Sequence, residues 1–355
     1  MAIEFRPTTP EEFSTFQKAN SRAFSYHQAP IPEGEEPPWL KIFEFDRSLA
    51  AFDGDQEVGT SVVFSFQMTV PGAIMATGGV SWIGVQATHR RKGILTGFMR
   101  RELDDCRARG EHLAALWASE SVIYGRFGYG MAVPHEEWEI ERAHSRFKQP
   151  VEASGSIRYL DREALLPLAA EVWDAARQTR PGMIARSGGW WERTLAIGHT
   201  FRPDEKDTFY VVYEEGGNAL GYALYRVKNK WESGIPLSRL TVAELVGVSP
   251  EPDAALWRFC LDVDLVGSIW SQHRPVDDPL PWRLADPRRL VRKQMDGYWV
   301  RIVDVMGALT GRRYSTEDRL ILEIKDDFCP WNEGCMTSTA APAAPAVITS
   351  PSRRS

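Results

Sequence analysis

Three consecutive cations and a glycine, Arg90, Arg91, Lys92 and Gly93, lie between a predicted strand and a predicted helix. The strand covers residues 80–85, which are mainly apolar. The helix repeats apolar side chains every three or four residues, at Ile94, Leu95, Phe98, Met99, Leu103 and Cys106, before Gly110 ends it. The first N–H groups of a helix have no partners within it, and glycine lets the backbone approach a ligand closely. Because cations at this end oppose the helix dipole unless an anion binds, we predict a turn that holds a diphosphate.

The elements around this turn predict an α+β fold. A strand over residues 3–6, a helix opening at residues 9–12 and a hairpin across Asp53, Gly54 and Asp55 come before it, and a buried strand over residues 112–118 follows its helix. The same order of elements recurs from residue 156, but residues 246–252 lack the arginines of the first turn. We therefore predict two copies of one mixed sheet, the second without the anion site.

Bulk composition limits the class of protein. At 355 residues the chain exceeds what one core usually supports, so we expect two or three domains. The apolar fraction of 43% and charged fraction of 25% are those of an ordinary soluble protein. A net charge of −6 argues against nucleic acid as the main partner and favours cationic substrates. Four cysteines without paired spacing and the lack of a long apolar run predict a cytoplasmic protein, with no metal site and no membrane partner.

The residues around the basic turn resemble the coenzyme A loop of the GNAT acetyltransferases. The usual pattern of that loop is Gln/Arg-x-x-Gly-x-Gly/Ala, which Arg90 and Gly93 match and from which Leu95 departs. The other matching motifs are Ala118-Ser119-Glu120, Ile123-Tyr124-Gly125-Arg126-Phe127-Gly128-Tyr129-Gly130 and Phe328-Cys329-Pro330-Trp331-Asn332. Together they are similar to the enhanced intracellular survival (Eis) family of multi-acetylating N-acetyltransferases, over residues 1–334 in order and spacing.

This resemblance implies a tandem GNAT fold. Residues 1–150 correspond to a GNAT domain with an acetyl-CoA site, and residues 151–286 to a degenerate GNAT-like domain without a coenzyme A motif. Residues 287–334 correspond to part of a domain resembling sterol carrier protein. We expect a truncated or altered C-terminal region, in which residues 335–355, rich in Ala, Pro, Ser and Thr, form a disordered tail. The family also implies a homohexamer built as a trimer of dimers.

The resemblance further implies roles for particular residues. Tyr124 matches the proton donor of the family. The acetyl-CoA contacts correspond to Ile83, Gly84, Val85, Arg90, Arg91, Lys92, Gly93, Ile94, Leu95, Thr96, Ser119 and Glu120. Physical chemistry agrees, because free backbone groups can polarise a thioester carbonyl, cations neutralise a diphosphate, and a phenol with a pKa of about 10 can protonate a leaving thiolate. The implied reaction moves an acetyl group directly from acetyl-CoA to a primary amine of an aminoglycoside, a polyamine or a lysine.

Some of these residues have plainer interpretations. Tyr124 can be a packing residue, and Ser119 and Glu120 can cap the helix before Tyr124. His89, beside the basic turn, has the chemistry of a general base, but orienting the turn or facing solvent is the plainer interpretation. The basic turn itself can be a solvated helix start. Family members use their own C-terminal carboxylate as general base, which Ser355 does not match in context, so we assign no base. The alternative function is an acyl-CoA-binding scaffold or sensor without turnover.

Overall fold

The structure, a computed structural model, describes residues 3–26, 39–200, 207–341 and 344–349, with the backbone alone at residues 196–200, 341 and 344–349. Strands β1 to β17 are, in chain order, Glu4–Arg6, Ser48–Asp53, Gln56–Val70, Ala73–Val85, Leu113–Trp117, Gly130–Glu141, Ser156–Leu160, Thr208–Glu215, Asn218–Lys228, Trp231–Glu232, Ile235–Pro236, Ser238–Gly247, Val266–Pro275, Val291–Ile302, Asp318–Ile324, Gly334–Ala341 and Ala344–Thr349. Helices α1 to α8 are, in the same order, Phe13–Ala23, Ile94–Ala108, Ser121–Tyr124, Arg162–Arg177, Gly188–Thr200, Pro250–Asp262, Leu280–Arg283 and Val305–Gly311. Within these ranges no helix combines the length and hydropathy needed to cross a bilayer.

The chain divides into two compact units. The first draws on Met1–Ala132, Pro181–Ala185 and Tyr298–Ser355, and the second on Val133–Arg180 and Arg186–Gly297. The limit near residue 132 differs from the expected limit at 150, because most of β6 pairs with β13 of the second unit. A strand-pairing partner of this kind leaves no mark in the local sequence.

The first unit is built on a mixed sheet with the strand order β1-β2-β3-β4-β5-β14. Strands β1 to β4 are antiparallel neighbours, whereas β5 is parallel to β4, with α2 in the connection between them. Helix α2 buries the apolar face expected from its periodicity, namely Ile94, Phe98, Met99, Leu103 and Cys106. The mixed α+β sheet predicted from the sequence is thus present.

Residues from 298 onward belong to the first unit rather than to a separate third domain. Residues 298–302 of β14 pair antiparallel with β5. Beyond the strand, Trp331 Nε1 and Asn332 Nδ2 donate hydrogen bonds to Val303 O at 2.7 and 3.1 Å, and Arg301 donates to both oxygens of Asp326 at 2.5 Å. The expected sterol-carrier-like segment over residues 287–334 is therefore not confirmed. The sequence pattern indicated a strand here, but it did not indicate that this strand pairs with β5.

The second unit repeats the arrangement of the first. Its sheet has the order β6-β13-β12-β9-β8-β7, in which β12 and β13 are parallel and α6 lies between them in the chain. Like β4, β12 carries an irregularity in its register with the preceding antiparallel strand, near Val242 and Glu244. The predicted duplication of one mixed sheet therefore extends to a local detail of the strand.

The C-terminal region differs from the expected disordered tail. Strands β15, β16 and β17 form an antiparallel sheet that includes Gly334–Ala341 and Ala344–Thr349. Threonine, valine and isoleucine at residues 337, 339 and 347–349 favour strands, a preference that the high Ala, Pro and Ser content obscured. Residues 342–343 and 350–355 lie outside the described part of the chain.

Candidate active site

The end of strand β4 carries a bulge. Thr60 of β3 pairs with Gly84 and Val62 pairs with Ser81, so one residue of β3 faces two residues of β4, Trp82 and Ile83. Trp82 has a φ of +49°, in the left-handed region that bulky residues rarely adopt. Two side-chain donors hold this strained peptide, because Asn20 Nδ2 and Thr60 Oγ1 both donate to Trp82 O, at 2.8 and 2.9 Å.

Strands β4 and β5 pair over only part of their length. Their register runs from Thr77 and Leu113 to Gly79 and Ala115, although β4 continues to Val85. On the side that faces β5, residues 80–85 therefore have no strand partner in the described part of the chain. Backbone donors and acceptors without a partner are the groups that an extended ligand can bind as an added strand.

The turn after β4 is fixed at its start and left-handed near its end. Gln86 donates its backbone N–H to Val58 O at 2.9 Å and its side-chain Nε2 to Glu57 O at 2.7 Å. Further along, Arg91 and Gly93 have φ values of +65° and +79°. Gly93 is the N-cap of α2, and no side chain among the described residues caps this helix. The first N–H groups of a helix without a side-chain cap can bind an anion, which is the role that the sequence predicts for this turn.

The predicted binding residues at this turn differ in what they can offer. Arg90, Arg91, Lys92, Gly93 and Thr96 are exposed. Ile94 is 2% exposed and belongs to the core, so only its backbone can face a ligand. Packing alone explains why residue 84 is glycine, because a Cβ there would lie 2.8 Å from the side chain of Ala23 in α1.

Tyr124 ends the short helix α3 and is 5% exposed. Burial raises the pKa of Tyr124, a side-chain hydrogen bond with Ser119 lowers it, and the charges of Glu102 and Glu120 raise it, with a net upward shift. The phenol therefore carries its proton at neutral pH, the state that a proton donor requires. Glu120 is the N-cap of α3 but makes no side-chain capping bond within the described residues, so the capping interpretation of Glu120 is not supported.

One buried cluster unites the strand, the turn and the tyrosine. Ile83 and Leu95 pack against the same core as Tyr124, together with Phe328 and Cys329. Arg100 of α2 donates a hydrogen bond to Phe328 O and lies 4.1 Å over the phenyl ring. The motifs that the sequence places far apart thus surround a single core in the first unit.

Sequence reasoning missed three residues that shape this region. Asn20 and Thr60 hold the bulge, and Glu102 is a buried carboxyl that accepts a hydrogen bond from Ser61. One signal was present for Asn20 and Glu102, because each is a polar residue on the apolar face of an amphipathic helix. No comparable signal marked Thr60.

The corresponding region of the second unit is closed. Residues 248–249 alone connect β12 to α6, whereas residues 86–93 connect β4 to α2. Helix α6 begins with Pro250, which has no N–H, and carries Glu251 and Asp253 in its first turn. A Cβ at Gly247 would lie 2.6 Å from the backbone nitrogen of Asp253, so strand and helix are in close contact.

Comparison with known proteins agrees with this geometry. Residues 4–132 and residues 182–302 each match an acetyltransferase (GNAT) domain. An N-acetyltransferase of Streptomyces avermitilis is 39% identical over 84% of this chain and 74% of its own length. N-acetyltransferase Eis of Mycobacterium tuberculosis is 32% identical over 81% of this chain and 72% of its own length. The crystal structure of Eis1 from Mycobacterium abscessus is 30% identical and covers 99% of this chain and 86% of its own, with a TM-score of 0.82.

The two units are therefore a tandem of GNAT acetyltransferase folds, and the protein is an acyltransferase enzyme. Within that class, the chain belongs to the Eis-like N-acetyltransferases. The resemblance seen in the sequence is confirmed, and the GNAT fold implies binding of acetyl-CoA. In the ranges that the structure describes, no three His, Cys, Asp or Glu side chains cluster in a way that suits a metal ion.

Proposed function

We propose that the first unit binds acetyl-CoA along the bulged strand and at the basic turn, and that it acetylates a primary amine of a cationic substrate. The observation that carries the proposal is the bulge at Trp82, where β4 leaves β5 beside the uncapped start of α2. An acyl-pantetheine chain is extended and has amides to pair with residues 83–85. The diphosphate then reaches residues 90–96, where three cations and the helix N–H groups meet it. Ser119 and Glu120 complete the contacts near the thioester.

The proposed reaction needs no covalent enzyme intermediate. The neutral amine attacks the thioester carbonyl carbon, a C–N bond forms and the C–S bond breaks. Backbone donors of residues 83–85 stabilise the charge that develops on the carbonyl oxygen. Tyr124 gives its phenolic proton to the departing thiolate, and the proton lost by the amine is available to restore the phenol.

Two features support a cationic acceptor. The chain has a net charge of −6, which attracts polyamines, aminoglycosides or lysine side chains. Near the bulge, the rings of Trp39 and Trp82 lie 5.3 Å apart, and indole faces attract ammonium groups. We further propose a cytoplasmic location, from the four cysteines without paired spacing. From the family resemblance we propose a homohexamer, whose mass light scattering of the purified protein tests. The relatives named N-acetyltransferases favour turnover over the scaffold alternative.

A thiol-release assay tests the proposal. Acetyl-CoA is mixed with the enzyme and a panel of aminoglycosides, polyamines and lysine peptides, and free coenzyme A is measured. We expect release with at least one amine, and Tyr124→Phe should lower kcat by about a hundredfold or more with little change in the KM for acetyl-CoA. Tyr129→Phe is the matched control, because it removes a buried hydroxyl of the same core that has no hydrogen-bond partner among the described residues. Unchanged turnover in Tyr124→Phe would remove Tyr124 from the mechanism, and binding without release on any amine would favour the scaffold.

A further inference from the structure

An acidic side chain from another part of the chain contacts the cationic turn, residues 86–93. Asp53, at the end of β2, places its Oδ2 atom 3.2 Å from His89 Nε2 and 3.9 Å from Lys92 Nζ. The other ring nitrogen of His89, Nδ1, lies 2.7 Å from Thr88 Oγ1. His89 is 9% exposed, and the side chain of Asp53 is 25% exposed. A carboxylate repels a diphosphate, so its presence here requires a reason other than binding.

Positioning supplies that reason. The turn cannot hold its shape by local preference, because Arg91 has a left-handed φ that costs free energy in a residue with a side chain. Gln86 fixes the start of the turn by two hydrogen bonds, and α2 fixes its end. His89 lies between them, and Asp53 attaches it to a hairpin 36 residues earlier in the chain. The direction of the N–H groups of residues 91–96 thus depends on this contact.

The contact with Lys92 has a different character. The Lys92 side chain is 49% exposed, and ion pairs at such exposure contribute little to stability. A diphosphate brings a higher charge than one carboxylate, so the ammonium group is free to leave Asp53 when that ligand arrives. The buried histidine has no such freedom.

We propose that Asp53 is a positioning residue for the diphosphate turn, acting through His89, and that Lys92 moves from Asp53 to the diphosphate when acetyl-CoA binds. The inference rests on the proposed function and adds to it one residue outside the coenzyme A loop. Asp53 itself touches no ligand. It sets the affinity of the turn for the diphosphate-bearing half of the acyl donor.

The test compares two acyl donors. Acetyl-CoA contains the diphosphate, whereas S-acetylpantetheine carries the same thioester without it. For Asp53→Asn we expect the KM for acetyl-CoA to rise about tenfold with kcat within a factor of two, and the kinetics with S-acetylpantetheine to stay as in the unmodified enzyme. Asp55→Asn is the control, because it removes the same charge from an exposed residue of the same hairpin. It should change neither the KM for acetyl-CoA nor the kinetics with S-acetylpantetheine.

Two further variants sharpen the result. His89→Gln should raise the KM for acetyl-CoA as Asp53→Asn does, and the double variant should be no worse than either single one, because the pair acts as one unit. Equal slowing with both donors would show general structural damage and overturn the inference. An unchanged KM for acetyl-CoA would overturn it as well, while leaving the proposed function standing. Failure of the unmodified enzyme to bind or use acetyl-CoA would instead refute the proposed function.

Discussion

Glu102 should make the stability of the first unit depend on pH. This carboxyl on α2 is 2% exposed, accepts a hydrogen bond from Ser61, and has an Oε2 atom without a partner among the described residues. Burial raises the pKa of Glu102 from 4.5 to about 7, although the hydrogen bond from Ser61 and the charge of Arg47 lower it. Folding therefore favours the protonated carboxyl.

The magnitude follows from proton linkage. In the unfolded chain the carboxyl ionises near its ordinary pKa of 4.5, whereas in the folded chain it keeps its proton up to about 7. The stabilisation from the raised pKa is complete below about pH 4.5 and is lost as the pH rises through about 7. Between about pH 5.5 and about pH 8, this one group should lower the free energy of unfolding by about 2 kcal/mol.

Glu102→Gln isolates this effect. Glutamine keeps the acceptor for Ser61 and cannot ionise. The free energy of unfolding of the variant, relative to that of the unmodified chain, should therefore rise by about 2 kcal/mol as the pH increases from about 5.5 to about 8. Urea unfolding, followed by hydrogen exchange of α2 peptides, reports the first unit by itself. Asp104→Asn, at an exposed position of the same helix, is the control and should show no such trend. A stability difference between Glu102→Gln and the unmodified chain that stays constant with pH would refute the reasoning.

Two further changes test how the site is held. Asp326→Asn removes the partner of the nearly buried Arg301 and should lower the free energy of unfolding by about 3 kcal/mol, and an unchanged urea midpoint would contradict this. Gly93→Ala adds a Cβ that meets no atom within 4 Å but is forced to a φ of +79°, so it should cost about 1 kcal/mol in stability and raise the KM for acetyl-CoA. Gly125→Ala is the control, since Gly125 has a φ of −56° and equally open surroundings. Equal effects of the two alanines on KM would refute the argument from φ.

Local signals in the sequence were sufficient for the turn and its helix. The apolar period of α2, the cations and Gly93 each report on neighbours within a few residues, and the structure agrees with them. The bulge was not predictable in this way, because Trp82 lies in an apolar strand and is held by Asn20, which is 62 residues away. Strand pairing has the same difficulty, since the partner of β14 is chosen by tertiary packing.

The two units share a fold but differ where the bulged strand meets the next helix. Both units have a bulged strand, a helix and a parallel strand in the same order. In the second unit, Gly247 brings β12 against α6, and acidic residues occupy the first helical turn. Eight residues, 86–93, connect strand and helix in the first unit, where two, 248–249, do so in the second. The longer connection contains left-handed residues at Arg91 and Gly93 and carries exposed cations. The strand edge differs as well, because Arg274 Nη1 donates a hydrogen bond to Leu245 O at 2.9 Å in the second unit. We infer that the turn and the strand edge together decide which unit can hold the acyl donor.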